Sequence, residues 1–383
     1  MTDFEKLTDY DNLLEAHRQC RKGKTWKDST AVFDLRALDY IDKLQASLIN
    51  GTYRMSNYHT FRLSERGKVR TIKSTRYADR VVLRSLCDNV LAPRISQTFI
   101  SGNGASQKDR GTDYMRLRLQ NDLREHVRKH GPQGYILVGD FSGYFDSIPH
   151  DLLSEAYARY IEDPRILKLI ADIHATLPNG RGLPLGNQTS QVSALLAASG
   201  IDHYIKEHLF IRGYGRYMDD FYLIAESREY LRWCLDVIQD MTEAIGLKLN
   251  QKKTKIVSLQ SGITYLGFRF FVSPSGKVVI KAAKGKAAAE RRRLKKLKAR
   301  VDEGTVSYEQ VQQSYQAWRA GVSAKSIKGT KRKFRPNTYN LVRAMDLFYY
   351  DLFADYLTAE ERARYAQLEG RDLKGETPHV ESD

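Results

Sequence analysis

Along the first 50 residues the apolar positions recur at helical spacing: Leu13, Leu14 and Ala16, then Leu35, Leu38, Ile41, Leu44 and Leu48. Steps of three and four residues gather such side chains on one helix face, so this stretch reads as helices with a packing side. From Tyr53 to Ile72 the pattern switches to alternation. Tyr58-His-Thr-Phe-Arg-Leu63 and Lys68-Val-Arg-Thr-Ile72 flank a Ser64-Glu-Arg-Gly67 turn, which predicts a β-hairpin. A helix is expected from Arg76 to Leu86, with Asp79 and Arg80 read as a structural ion pair. Tyr135 to Val138 is a short apolar run of the kind that forms a buried strand. Gly213 to Ala225 holds two apolar, aromatic-rich runs broken by Asp219-Asp220, which predicts a tight hairpin with the aspartates at its turn. Tyr230 to Ile245 is an amphipathic helix ended by Gly246. Basic residues dominate from Lys277 to Arg300, and Leu294, Leu297 and Val301 leave a narrow apolar stripe on an otherwise basic helix.

Charge then narrows the choice of partner. A formal net charge of +16 and a pI near 9.5 favour a polyanion, although a ribosome-associated or membrane-surface protein shows the same balance. Met1-Thr-Asp-Phe-Glu-Lys6 lacks a basic-then-apolar leader, and no apolar run approaches the about 20 residues of a membrane span. Cys20, Cys87 and Cys234 are far apart and without metal spacing, as expected of reduced thiols in a bacterial-type cytoplasm. A chain of 383 residues with 42% hydrophobic content can bury a substantial core and divides into two or three subdomains.

The chemistry concentrates on three aspartates. Adjacent side chains on a strand point to opposite faces, so Asp219 and Asp220 approach one centre only at a bend. A bare Asp-Asp pair reads as a solvated turn. Asp140, at the end of the Tyr135–Val138 run, changes that reading. Three carboxylates converging from a strand end and a hairpin supply hard oxygen ligands suited to Mg²⁺. Two such ions about 4 Å apart activate a 3′-hydroxyl and stabilise departing pyrophosphate in phosphoryl transfer.

Motif order makes the company of these residues specific. Asp140-Phe-Ser-Gly-Tyr-Phe145, Gly182-Leu-Pro-Leu-Gly-Asn-Gln-Thr-Ser-Gln191 and Tyr217-Met-Asp-Asp220 resemble three successive palm motifs of reverse transcriptases. The resemblance runs over roughly residues 10–320. Gly186-Asn-x-Thr-Ser-Gln191, Tyr10-Asp-Asn-Leu-Leu-Glu-Ala16 and Arg21-Lys-Gly-Lys24 are similar to the bacterial enzymes of diversity-generating retroelements and their relatives. Ser314-Tyr-Gln-Ala-Trp-Arg-Ala-Gly321 resembles the thumb signature of that group, without its usual His-containing continuation, which leans the resemblance toward anti-phage defence enzymes.

The resemblance implies an α+β, right-hand polymerase fold with fingers, a palm carrying an antiparallel sheet, and a helical thumb. Residues 1–45 would be an N-terminal helical extension, 46–275 the fingers and palm, and 276–383 a basic helical thumb with C-terminal helices. It implies RNA-templated DNA synthesis, with Asp140, Asp219 and Asp220 catalytic and, together with Phe141, holding two Mg²⁺ ions that Mn²⁺ can replace. Nucleotide contacts would come from Arg70 and Arg62 on the fingers hairpin, and from Ser142, Gly143, Tyr144 and Phe145. Phe145 would crowd a ribose 2′-hydroxyl and so favour deoxynucleotides. Leu185 and Gly186 would lie under the template base and nucleotide; an aliphatic Leu185 cannot hydrogen-bond there, which suggests low fidelity. Lys253 and Lys255 are both candidates for a general acid toward pyrophosphate, and both also suit solvated strand ends.

Tyr265 and Gly267 resemble the primer-grip hairpin, and Arg291, Arg292, Arg293, Lys295 and Lys296 would track duplex phosphates. The glycine-rich loop 101–112 is balanced between a plain surface loop and a connector that touches template. Expected partners are an RNA template (a dedicated non-coding RNA), DNA product and dNTPs, with an accessory protein as a further candidate and no membrane. Template-independent terminal synthesis and an idle RNA-binding scaffold are the alternatives.

Overall fold

The computed structural model describes residues 1–65, 68–327, 330 and 333–372. The chain divides into two compact units, Met1–Met115 with Gly134–Ile256, and Arg116–Gln133 with Val257–Asp383.

The first unit opens with helices α1 (Asp3–Thr8), α2 (Tyr10–Arg21), α3 (Asp28–Leu35) and α4 (Ala37–Ile49). Thr2 and Glu5 close a capping box at the first of them, and Asp9 caps the second through Asn12 N at 2.9 Å. Leu13, Ile41 and Leu48 are buried as their spacing predicts, but Leu35 and Leu38 are exposed. The helix breaks at Arg36 (φ −131°), so the periodicity read across residues 35–38 does not describe one continuous face. The fingers-like hairpin is present as β1 (His59–Glu65) and β2 (Lys68–Ser74), paired from His59↔Ser74 to Glu65↔Lys68. Helix α5 (Tyr77–Leu86) follows, and a π-turn over Cys87–Leu91 leads into α6 (Ala92–Ile95). Asp79 accepts from Tyr53 Oη at 2.9 Å and Ser56 N at 3.2 Å, whereas Arg80 donates to Thr75 O at 3.2 Å. The expected Asp79–Arg80 pair gives way to these separate partners because neighbouring helix positions do not face each other.

Helix α7 (Thr112–His130) begins in the first unit and runs into the second. Strand β3 (Tyr135–Asp140) then leads through α8 (Tyr144–Ser147), α9 (His150–Ala158), α10 (Pro164–Ala175), α11 (Gln188–Ala197) and α12 (Ser199–Glu207) to the hairpin β4 (Gly213–Tyr217) and β5 (Asp220–Ala225). Helix α13 (Arg228–Ala244) packs against β3 and β5, capped by Ser227 and stopped before Gly246 at φ +73°. Strand β5 lies between β4 and β3, and β6 (Lys255–Ser258) takes the place beyond β3. Tyr222 and Leu223 are buried on opposite faces of β5, which explains its unbroken apolar run. Gly139 lies opposite Phe221, and a Cβ there would clash with the edge of the Phe221 ring at Cζ.

In the second unit β7 (Ile263–Tyr265), β8 (Phe268–Val272) and β9 (Val278–Ala282) form an antiparallel sheet. The basic stretch is therefore not helical from Lys277: Val278, Val279 and Ile280 pair with β8, and the helix starts after Gly285 at φ +83°. Helices α14 (Lys286–Asp302) and α15 (Tyr308–Val322) are followed by the short bridge of β10 (Lys325–Ser326) with β11 (Lys333–Phe334). Helices α16 (Tyr339–Leu352) and α17 (Ala359–Asp372) complete the unit. Leu294, Val311, Tyr315, Met345 and Tyr349 form its core, with the Tyr315 and Tyr349 rings stacked at 4.2 Å. Among the described residues no helix is long and apolar enough to cross a membrane.

Gly139→Ala should lower the urea midpoint of unfolding by an amount corresponding to about 1–3 kcal/mol, the usual cost of overpacking a filled core. An unchanged midpoint would mean that Phe221 does not occupy the place described here.

Candidate active site

Strand pairing brings the three aspartates to one end of the first unit's sheet. β3 and β5 run antiparallel with Asp140 opposite Asp220, and Phe141 N donates to Asp219 O at 3.2 Å. Across the hairpin Tyr217 pairs with Asp220, leaving Met218 and Asp219 as the turn. Met218 sits at φ +55°, a left-handed conformation that costs a non-glycine residue of order 1–3 kcal/mol. Asn250 N donates to Asp140 O at 2.7 Å, and Ser142 N to Lys248 O at 2.8 Å, so the 247–254 segment is laced to the strand end.

Asp140 is buried, while Asp219 and Asp220 are half-buried. Burial, then the neighbouring charges of Asp219 and Asp140, push the Asp220 carboxyl up to about 6. Lys253 counters part of that charge: its Nζ reaches Asp140 Oδ1 at 2.8 Å and also contacts Oδ2. That hydrogen bond in turn raises the lysine above its ordinary value, so it stays protonated at neutral pH. Among the described residues no three His, Cys, Asp or Glu side chains are drawn into a ready-made metal cage. The donor chemistry nonetheless fits divalent cations: all three groups are carboxylates, hard oxygen donors, and two of them, Asp219 and Asp140, add to burial in raising Asp220. Asp140, Asp219 and Asp220 are the residues that would hold such ions.

The remaining expected residues fall into three groups. Around the strand end, Ser142 and Gly143 are exposed, with Gly143 at φ +54°, and Tyr144 is buried with its hydroxyl on Ala194 O at 2.5 Å. Phe145 is half-buried edge-on to Tyr144, and its carbonyl accepts from Leu183 N at 2.7 Å, which ties it to the loop of Leu185 and Gly186. Gly186 has φ +115°, and a Cβ there would meet Lys73 O at 3.5 Å, placing this loop beside the end of β2. Lys255 is exposed at the start of β6, whereas Lys253 is the lysine bonded to Asp140.

Arg62, paired with Thr71, is exposed on β1. Arg70 stands opposite Leu63 on β2, but its side chain lies outside the described residues, as do Arg66 and Gly67 of the turn.

In the second unit Tyr265 is buried and Gly267 turns at φ +82°. Arg291, Arg292, Lys295 and Lys296 are exposed on α14. Arg293 departs from the expected free basic face: Glu290 takes its Nε at 2.9 Å and Nη2 at 2.5 Å, and Ser314 takes Nη1 at 2.6 Å. A three-residue step on the helix brings Glu290 under it.

Sequence reading did not single out Arg216 and Asp202. Both are about 99% buried, and they form an ion pair through Arg216 Nε at 2.7 Å and Nη2 at 2.6 Å. Asp202 lies on α12, with no local pattern linking it to a hairpin 14 residues on. Only Arg216's position beside Tyr217-Met-Asp-Asp220 offered a signal. Loop 101–112 is also not plain surface throughout. Gly102 to Ala105 are buried, Arg216 N donates to Gly102 O at 2.9 Å, and Gly104 N to Arg216 O at 3.1 Å.

An antiparallel sheet that delivers three carboxylates from a strand end and a tight hairpin is the palm of a right-hand polymerase, a nucleotidyltransferase. Residues 64–270 match the family model described as "Reverse transcriptase (RNA-dependent DNA polymerase)". The chain belongs to the reverse transcriptase family and is an RNA-directed DNA polymerase by class. Protein YkfC of Escherichia coli (strain K12) is 23% identical over 271 residues, covering 59% of this chain and 70% of that protein. The telomerase of Candida albicans, solved in complex with a TWJ fragment of telomeric RNA, shares the fold at 13% identity and a TM-score of 0.50, over 85% of this chain and 63% of that one. The truncated apo telomerase of Candida tropicalis is similar at 14% identity and a TM-score of 0.49, over 60% of this chain and 55% of that one. The chain thus spans less than two thirds of either telomerase chain.

A carboxyl raised in the folded state favours folding below the unfolded value of 3.8 and loses that contribution as pH rises through about 6. Asp220→Asn should therefore raise the melting temperature of the metal-free protein at pH 7.5, and the gain should shrink to nothing as pH falls from 6 to below 4. A gain independent of pH would assign it to packing instead.

Proposed function

We propose that the chain extends a 3′-hydroxyl, or an equivalent primer group, with dNTPs while copying an RNA, using two Mg²⁺ ions held by Asp140, Asp219, Asp220 and the Phe141 position. The observation that carries this reading is the register of Asp140 opposite Asp220, with Asp219 in the adjoining turn. Divalent ions, when bound, activate the attacking hydroxyl and neutralise charge on the leaving pyrophosphate. The chain's own contribution is to hold, orient and select. Lys253 keeps a protonated ammonium beside Asp140, in reach of the role of proton donor to pyrophosphate. Phe145, fixed by the Leu183 N bond to its carbonyl, presents a ring that a ribose 2′-hydroxyl would meet. Arg62 and Arg70 on the β1–β2 hairpin suit triphosphate binding, because guanidinium forks match phosphate oxygens. Leu185 offers no hydrogen bond to the nucleotide, consistent with loose base-pair checking.

The same proposal assigns residues 46–275 to fingers and palm and 276–383 to the thumb. The exposed Arg291, Arg292, Lys295 and Lys296 of α14 supply a phosphate-tracking face, while Tyr265 and Gly267 serve the primer end. The partner is a dedicated non-coding RNA in the cytoplasm, with an accessory protein as a further component. The setting is anti-phage defence or a diversity-generating retroelement. The net charge of +16 and the telomerase solved with its RNA support an RNA partner.

Protein purified with its bound RNA and supplied with Mg²⁺ and dNTPs should yield DNA complementary to that RNA. Asp219→Asn should reduce the yield by at least about 10³-fold, since it removes a carboxylate from the metal set. Repeat DNA without a matching template would favour terminal synthesis, and bound RNA with no DNA from either protein would favour the scaffold reading. Phe145→Ala should lower discrimination against ribonucleotides by about tenfold or more, read as the ratio of kcat/KM for dNTP and rNTP. An unchanged ratio would make Phe145 a core residue only.

A further inference from the structure

We propose that Arg216 is a positioning residue, clamped by Asp202, that holds the Met218–Asp219 turn in its left-handed conformation and so aims the Asp219 carboxylate. The inference rests on the polymerase reading of the three aspartates.

The geometry is directional. Arg216 spends Nε and Nη2 on Asp202, a second Nη2 proton on Leu195 O at 3.0 Å, and Nη1 on Met218 O at 2.9 Å. Met218 is the residue at φ +55°, so the guanidinium binds the carbonyl of the one strained peptide in the hairpin. Asp202 is itself held from a second side by Tyr214 Oη at 2.5 Å. The main chain of Arg216 is fixed on its outer edge by Gly102 and Gly104. Loop 101–112 is tied in turn to α11 by Ser106 Oγ donating to Gln191. The turn is thus referenced to α11, α12 and the loop at once.

A fully buried ion pair gains little net stability over an apolar pair of the same shape. What an apolar pair cannot do is donate to the Met218 carbonyl while anchored to a second element. Lysine cannot do so either, because a single ammonium lacks the planar fork that reaches Asp202 and Met218 O together.

Arg216→Lys in the full chain separates positioning from mere support. It keeps a cation for Asp202 and removes the fork. The expected result is a folded protein with kcat for DNA synthesis lowered about 10- to 100-fold, as a small misplacement of a reacting group produces. KM for dNTP should stay within about twofold, and Mn²⁺ affinity, read by electron paramagnetic resonance of the free ion, should weaken several-fold. Met218→Gly added to Arg216→Lys should restore part of both losses, since glycine takes positive φ without penalty.

A folded Arg216→Lys protein with wild-type kcat and Mn²⁺ affinity would overturn the proposal. So would activity lost only in proportion to the folded fraction, with no rescue by Met218→Gly. Should Arg216→Lys not fold, Asp202→Asn, which keeps shape and loses charge, is read by the same two measurements against the same outcomes. If wild-type protein makes no DNA on any template, the polymerase reading fails, and the Mn²⁺ comparison still decides whether Arg216 aims Asp219.

Discussion

Like charges held side by side are the constraint around which the first unit is built. The β3–β5 register places Asp140 against Asp220, and the hairpin turn adds Asp219. Nothing in local propensity favours three carboxylates at one sheet end; the energy for it comes from elsewhere. Strands β3 and β5 contribute a continuous buried run, from Ile136 and Leu137 to Tyr222 and Leu223, whose burial anchors the register. Lys253 offsets part of the repulsion from outside the sheet. Burial first, and the charges of Asp219 and Asp140 second, raise the Asp220 carboxyl.

Both units use the same device to fix their polar interiors. In the first, Asp202 accepts from the Tyr214 hydroxyl and the Arg216 guanidinium. In the second, Asp346 accepts from the Tyr315 hydroxyl at 2.7 Å and from Arg319 Nε at 2.9 Å. A buried carboxylate must find several donors or it is costly, and each donor it finds is specific in direction. Such a cluster fixes one arrangement of helices and strands where apolar packing alone would tolerate several. In the first unit that specificity reaches the hairpin; in the second it joins α15 to α16.

How much was legible in the chain differs from element to element, for reasons that can be named. The β1–β2 hairpin, α5, α13 and the Asp219-Asp220 hairpin follow from periodicity and turn chemistry, because the signals lie within a dozen residues of one another. Leu35 and Leu38 misled, because a helix break at Arg36 divides a periodic run. The basic segment after Lys277 misled in the same way: its charge pattern continues through β9 into α14, but β-branched Val278, Val279 and Ile280 find a partner in β8 that only the folded chain supplies. Arg293 read as one more free cation until Glu290 and Ser314 engaged it.

By itself the sequence determined the class of machine: motif order, three aspartates, a hairpin between apolar runs and a strongly basic balance are properties of residues along a line. Tertiary structure alone decided what each polar group faces. It selected Lys253 over Lys255 as the cation on Asp140, drew the glycine-rich loop inward to β4, and joined Asp202 on α12 to Arg216 beside the Met218–Asp219 turn. The physical reason is the range of the forces. Hydrophobic period and turn preference act between near neighbours in the chain, whereas a buried charge is satisfied by whichever partner the completed fold brings within hydrogen-bonding distance.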